Sequence, residues 1–160
     1  MLFGGLIFIG GCAEKPLEPI VEKEVSFYDL NENPRELSAA NMNAGLSVVL
    51  INYCWNEDDS ICNLDIINTA KALEGIKTQV LEKGETVTLR FDVNPSSKAP
   101  LPSNTRLYQF KDDIVTEVNV TPNGAFTIPN EKGRYNYGYL SLFEDDIKGQ
   151  AYYGFSVIVK

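Results

Sequence analysis

Three thiols, Cys12, Cys54 and Cys62, are the most chemically distinctive groups in this chain, and it contains no histidine. Lacking imidazole, it lacks the commonest general base and the commonest transition-metal ligand. Ser-His and Cys-His nucleophilic sites are excluded, and so are His-containing zinc sites. Cys54 and Cys62 belong to Tyr53-Cys54-Trp55-Asn56-Glu57-Asp58-Asp59-Ser60-Ile61-Cys62. Glu57 to Ser60 is turn chemistry, and a bend there brings the two sulfurs face to face. Such a pair serves either as a structural disulfide or as two free thiols for redox or metal work, although the spacing is not that of a CxxC motif.

Cys12 stands in a different setting. It follows Met1 to Gly11, a run of apolar and small residues without charge. That run is shorter than the about 20 apolar residues a membrane-spanning helix needs, and it fits the apolar core of a secretory signal with small residues before the cleavage point. Ile9-Gly10-Gly11-Cys12 resembles the lipobox of bacterial lipoproteins. The resemblance implies cleavage before Cys12 and a diacylated thioether on its sulfur. Each buried methylene contributes about 0.8 kcal/mol, and one acyl chain alone is a marginal anchor. The alternative is a cytosolic protein with an apolar N-terminus. No Lys or Arg precedes the apolar run, so the expectation is that the true start, with basic residues, lies upstream. With Cys12 acylated, Cys54 and Cys62 become an even pair in an oxidising compartment, where a disulfide is the expected state. The loop it closes is short, worth about 2–3 kcal/mol in the chain-entropy model. Two remaining cysteines are too few for a cysteine metal site, and no cofactor is expected.

Two further sets of residues are candidates for binding. Glu57-Asp58-Asp59 and Glu144-Asp145-Asp146 are acidic triplets in expected loops. Clustered carboxylates can hold Ca²⁺, but neither triplet has EF-hand spacing, and solvated turns are the simpler reading, so no metal site is assigned. Tyr135, Tyr137, Tyr139, Tyr152 and Tyr153, with Trp55, could line a groove for sugars or peptides; the plainer reading makes most of them core. Strand parity puts Tyr153 and Phe155 with the aliphatics and Tyr152 on the opposite face. Tyr152 is therefore the better surface candidate, and Trp55, Tyr139 and Tyr152 are the residues singled out for ligand or partner contact. The formal net charge of −8, from 22 acidic and 14 basic residues, disfavours nucleic acid or an anionic membrane surface as the main partner.

These residues need a scaffold, and its elements are readable in outline. Residues 1–11 read as signal, 12–25 as a Pro- and charge-rich spacer, and 26–160 as a single domain. Arg35 to Asn41 is read as one or two helical turns, and Leu46 to Tyr53 as one β run. Asn63 is placed to cap a helix over Leu64 to Leu73, with Ile66, Ile67, Ala70 and Leu73 on one face and Gly75 at its end. Lys77 to Leu81, Thr86 to Val93, Arg106 to Phe110, Ile114 to Val120, Ala125 to Pro129, Arg134 to Phe143 and Gln150 to Lys160 read as strands. Thr86 to Val93 alternates with period two, the signature of a half-buried antiparallel strand. The whole predicts a mainly β fold, an Ig-like antiparallel β-sandwich with one short helix.

Gly133-Arg134-Tyr135-Asn136-Tyr137, following Phe126-Thr127-Ile128-Pro129, resembles the start of the penultimate strand of an Ig domain. In such domains a Tyr soon after the corner hydrogen-bonds back to the backbone. Tyr137 stands where an antibody domain has its core cysteine. Together with Tyr53-Cys54-Trp55, Cys62 and Gly149 to Phe155, the chain resembles a group of uncharacterised Gram-positive (Firmicute) lipoproteins over about residues 46–160. That resemblance carries no activity.

The expectation for function is a lipoprotein on the extracytoplasmic face of the cell membrane, displaying a non-catalytic binding or interaction domain. Its partner would be an extracellular protein or a cell-wall glycan. The alternatives are a protease-inhibitor-like or chaperone-like accessory domain, using the loop from Asn94 to Asn104 or an edge strand, and a cell-envelope hydrolase.

Overall fold

A computed structural model describes residues 33–56, 62–66, 68–93, 98–145 and 147–160. The signal, the lipobox with Cys12 and the 12–25 spacer lie outside the described residues, as do Glu57, Asp58, Asp59, Ile67 and Asp146. Ten strands and one helical turn follow in chain order: β1 (Leu37–Ala40), β2 (Gly45–Leu46), β3 (Val49–Trp55), α1 (Thr69–Ala72), β4 (Gln79–Leu81), β5 (Thr86–Phe91), β6 (Asn104–Lys111), β7 (Ile114–Val118), β8 (Ala125–Thr127), β9 (Gly133–Glu144) and β10 (Lys148–Val159).

The strands form two sheets. One has the order β2-β1-β5-β8; the other has β3-β10-β9-β6-β7, with β4 alongside β10. All pairs are antiparallel except β4 with β10. The chain crosses between sheets after β2, β4, β5, β7 and β8, the Greek-key route of an Ig-like sandwich. Alternation along each strand explains the core. Val87 and Leu89 of β5 meet Tyr135, Tyr137 and Tyr139 of β9 and Tyr153, Phe155 and Val157 of β10 between the sheets, all buried.

The corner before β9 is locked by a tyrosine. The Tyr135 hydroxyl donates to the Glu131 carbonyl at 2.9 Å. The Lys111 ammonium lies 5.3 Å from the centre of the Tyr135 ring and pairs with Glu131. Two residues on, Tyr137 fills the space an antibody domain gives to its disulfide. Its ring stacks on Phe155 at 5.0 Å and 13° and leans on Phe126 at 5.2 Å.

Three local expectations are corrected. Arg35 to Asn41 is not helical, because Leu37–Ala40 pairs with Leu89, Arg90 and their neighbours on β5; two buried residues at period two, Leu37 and Ala39, satisfy a strand. The run from Leu46 to Tyr53 is two strands, since the chain leaves the first sheet after Leu46 and enters the second at Val49. The helix expected over Leu64 to Leu73 is one turn, Thr69–Ala72, preceded by Asn68 rather than Asn63. Of the expected apolar face, Leu73 is buried but Ala70 is exposed. Four residues are far too few to hold a helix by propensity, so packing of this segment on the sheet decides its shape.

One inner-face residue is out of keeping with its surroundings. Ser141 is fully buried opposite Ala151 and Thr105, and its hydroxyl has no hydrogen-bond partner among the described residues. An unsatisfied buried hydroxyl costs about 1–3 kcal/mol. Ser141→Ala is therefore expected to stabilise the protein by about 1 kcal/mol, read as a higher urea midpoint at unchanged m. A lower midpoint would show that the hydroxyl is bonded in solution.

Candidate functional site

One end of the sandwich gathers four segments distant in sequence: 33–36 before β1, the end of β3, residues 98–103 before β6, and the ends of β9 and β10 that meet at their hairpin. Pairing places them there. Leu37 lies opposite Phe91, Asn104 opposite Leu142, and Trp55 opposite Gly149. The Cys54–Cys62 disulfide, with Cα atoms 5.9 Å apart, ties the end of β3 to the segment that returns over the sheet. The Asn56 side-chain oxygen accepts from the Cys62 N–H at 2.9 Å, and the Asn56 N–H donates to the Lys148 carbonyl at 2.8 Å. Of the two states left open for these cysteines, the structure pairs them as a disulfide.

Trp55 is half-buried, and its ring meets Phe143 edge-on at 5.0 Å. Gly149 lies between them in the register. A Cβ at Gly149 would overlap the Cys54 carbonyl and the Trp55 ring, so glycine is what allows the two rings to meet across β10. Phe143, with Ile147, in turn floors a cleft of about 290 Å³, walled by Arg35, Pro100, Leu101, Ser103 and Asp145.

The polar walls are held by directed bonds. The Arg35 guanidinium donates to the Ala99 carbonyl at 2.6 Å and the Asp92 carbonyl at 3.1 Å, while the Arg35 carbonyl accepts from the Tyr153 hydroxyl at 2.6 Å. The Ser103 hydroxyl donates to Asp145 at 3.0 Å and accepts from the Glu144 N–H at 3.1 Å. Ser103 therefore links the β5–β6 connection to the hairpin, using its hydroxyl in both directions. A second cleft of about 350 Å³ shares Arg35 with the first and is lined also by Leu37, Val48, Leu50 and Tyr153. The two clefts together bring a cation and a carboxylate beside apolar side chains.

The residues singled out from sequence are scattered by the structure. Trp55 stands at the cleft end, behind its floor. Tyr152 is corrected: it is 1% exposed, not a surface residue. Parity does place it on the outer side of its sheet, but Ile66 and Thr69 cover that side. There its hydroxyl lies 2.6 Å from the Thr69 hydroxyl, and a Cβ at Gly138 would overlap its ring. Tyr139 is likewise corrected, being buried against Phe91 with ring centres 6.0 Å apart. Glu144 and Asp145 are exposed on the hairpin. Among the described residues, no three Cys, Asp or Glu groups converge as metal ligands. Arg35, Ser103 and Phe143 were not singled out: Arg35 and Ala99 are 64 positions apart, and no local spacing reports such a meeting.

Burial raises the Tyr152 phenol to about 12, partly offset by its bond to Thr69, and raises Tyr137 and Tyr153 further. The folded state thus favours neutral phenols, while unfolded tyrosines ionise near pH 10. Stability is fully present below about pH 10 and declines as pH rises from there through the folded values. Urea midpoints across this range should fall together with the appearance of phenolate absorbance. Phenolate absorbance that grows while the midpoint holds constant would refute the assignment.

Fold and site together define an Ig-like β-sandwich with a disulfide-braced cleft among its end loops. Comparison of the chain with protein families, with curated proteins and with solved structures found no match to any of the three.

Proposed function

We propose that this protein is a membrane-anchored, extracytoplasmic lipoprotein whose sandwich domain binds a partner, not as an enzyme but through the loop end that carries the cleft. The observation supporting it most directly is the cleft itself: Arg35 and Asp145 face an apolar floor of Phe143 and Ile147, on a frame braced by Cys54–Cys62. In Ig-like domains loops cluster at the sandwich ends, where some bind ligands. The disulfide fits an oxidising compartment, and Ile9-Gly10-Gly11-Cys12 supplies the anchor. An extracellular protein or a cell-wall glycan is the proposed partner.

Two measurements test this. Cells fed labelled palmitate should label the wild-type protein and not Cys12→Ser. Wild-type protein should retain a component of the cell-wall and secreted fractions that Leu101→Asp with Asp145→Ala does not. Labelling that survives Cys12→Ser would remove the anchor, and retention unchanged by the cleft variant would remove the cleft.

A further inference from the structure

Among the described residues five strand edges bound the two sheets: β2 and β8 on the smaller, β3, β4 and β7 on the larger. An unprotected edge is a template for pairing, so proteins blunt edges. Four of these are blunted. β2 has two residues and β4 three. On β8, the Ala125 N–H donates to the Thr121 hydroxyl at 3.0 Å, and its carbonyl accepts from the Thr121 N–H at 2.9 Å. On β3, the Tyr53 N–H is taken by its neighbour, the Asn52 side chain, at 2.9 Å.

β7 has no such protection. It reads Ile114-Val115-Thr116-Glu117-Val118, without Lys or Pro. Ile114 and Val115 are 68% and 50% exposed, on opposite faces. Lys111 pairs with Ile114 across a two-residue turn. Antiparallel alternation then directs the backbone groups of Ile114, Thr116 and Val118 toward β6 and those of Val115 and Glu117 outward.

We propose that this edge pairs antiparallel with β7 of a second copy of the chain, about a twofold axis through Thr116. The sequence is self-complementary in that register. Ile114 lies opposite Val118 of the second copy, Thr116 opposite its own counterpart, and Val115 opposite Glu117. Aliphatic and Thr–Thr pairs favour antiparallel sheets. Charge selects the register. An axis through Glu117 sets that carboxylate against itself, and an axis through Val115 sets Asp113 against Glu117 of the second copy; like charges directly opposite are destabilising. With the axis at Thr116, Asp113 meets Asn119 and no like charges oppose. The contact is small, so association depends on local concentration, which tethering through Cys12 would raise. That clause rests on the anchor reading; the pairing does not.

Cross-linking tests both. In the full-length chain with Cys12→Ser, Thr116→Cys places two thiols across the axis, and Arg90→Cys is the control. Under mild oxidation at high protein concentration, Thr116→Cys should give disulfide-linked dimer about tenfold faster than the control at Arg90, an exposed residue of the central strand β5, since pairing raises the effective thiol concentration. Adding Val115→Pro, which removes an outward N–H, or Ile114→Lys should return the rate to control; Ile114→Lys decides if the proline variant does not fold. Equal rates for Thr116→Cys and control, or a fast rate indifferent to Ile114→Lys, would overturn the pairing. The lipidated Thr116→Cys protein on phosphatidylglycerol vesicles should cross-link at lower bulk concentration still. Fast cross-linking in solution without that gain would uphold pairing and refute the tethering role.

Discussion

Alanine in place of Tyr137 is expected to cost about 3–5 kcal/mol, the range for emptying an aromatic site in a packed core. The ring is fully buried. It lies flat on Phe155 and tilted against Phe126, and it joins β9 and β10 of one sheet to β8 of the other. An antibody domain bridges its sheets from this position with a disulfide. Here the bridge is aromatic packing, so its loss removes dispersion contacts and leaves a cavity. Domains of this size are typically stable by about 5–15 kcal/mol, so the variant should sit near the edge of folding. Tyr137→Phe separates the ring from its hydroxyl, which donates to the Gln109 side chain at 3.0 Å; it should cost about 1 kcal/mol. Urea unfolding at constant m measures both. Equal losses for the two variants would mean that the hydroxyl, not the ring, carries the contribution.

Replacing Cys54 and Cys62 together by serine is expected to destabilise by about 2–3 kcal/mol, the chain-entropy value for so short a loop. The effect should also be local. Cys54 and Trp55 close one end of β3, and Cys62 begins the cover that runs over Tyr152. The Leu64 N–H donates to the Gln150 side chain at 3.0 Å, and the Thr69 hydroxyl donates to the Ile66 carbonyl at 2.6 Å. Without the sulfur link the cover is held by the Leu64–Gln150 and Thr69–Tyr152 bonds, the Asn56–Cys62 bond and the burial of Leu73. Amide exchange should quicken at Trp55, Asn56 and Leu64 more than at Leu107 or Val157 in the core. Trp55 fluorescence should shift as its edge contact with Phe143 loosens. Uniform quickening across all strands would show that the disulfide stabilises only globally.

How much of this was legible depends on the range of the interactions. Val87 and Leu89 declare their strand by alternation, and the structure buries both. Tyr135 declared the corner because its partner, Glu131, is four residues away. The hairpin at Lys111 to Ile114 and the Cys54–Cys62 loop are equally local. Tyr152 was misplaced for the opposite reason. Parity correctly assigns it to the outer side of its strand, but whether that side meets water depends on Thr69, 83 positions away. The break after Leu46 was hidden because Val, Leu and Ile suit either sheet equally; the crossing is chosen by which partner strand each half finds.

The sequence alone determined the β class and the absence of imidazole chemistry, because both follow from residue type and alternation; the corner came from the resemblance of Gly133 to Tyr137 to an Ig strand, and for Cys54 and Cys62 a disulfide was one of two open states. Tertiary structure alone decided the cleft, the burial of Tyr139 and Tyr152, and the bare edge of β7. Each of those depends on which distant segments the sheets bring together, and side-chain period and turn chemistry do not encode such meetings.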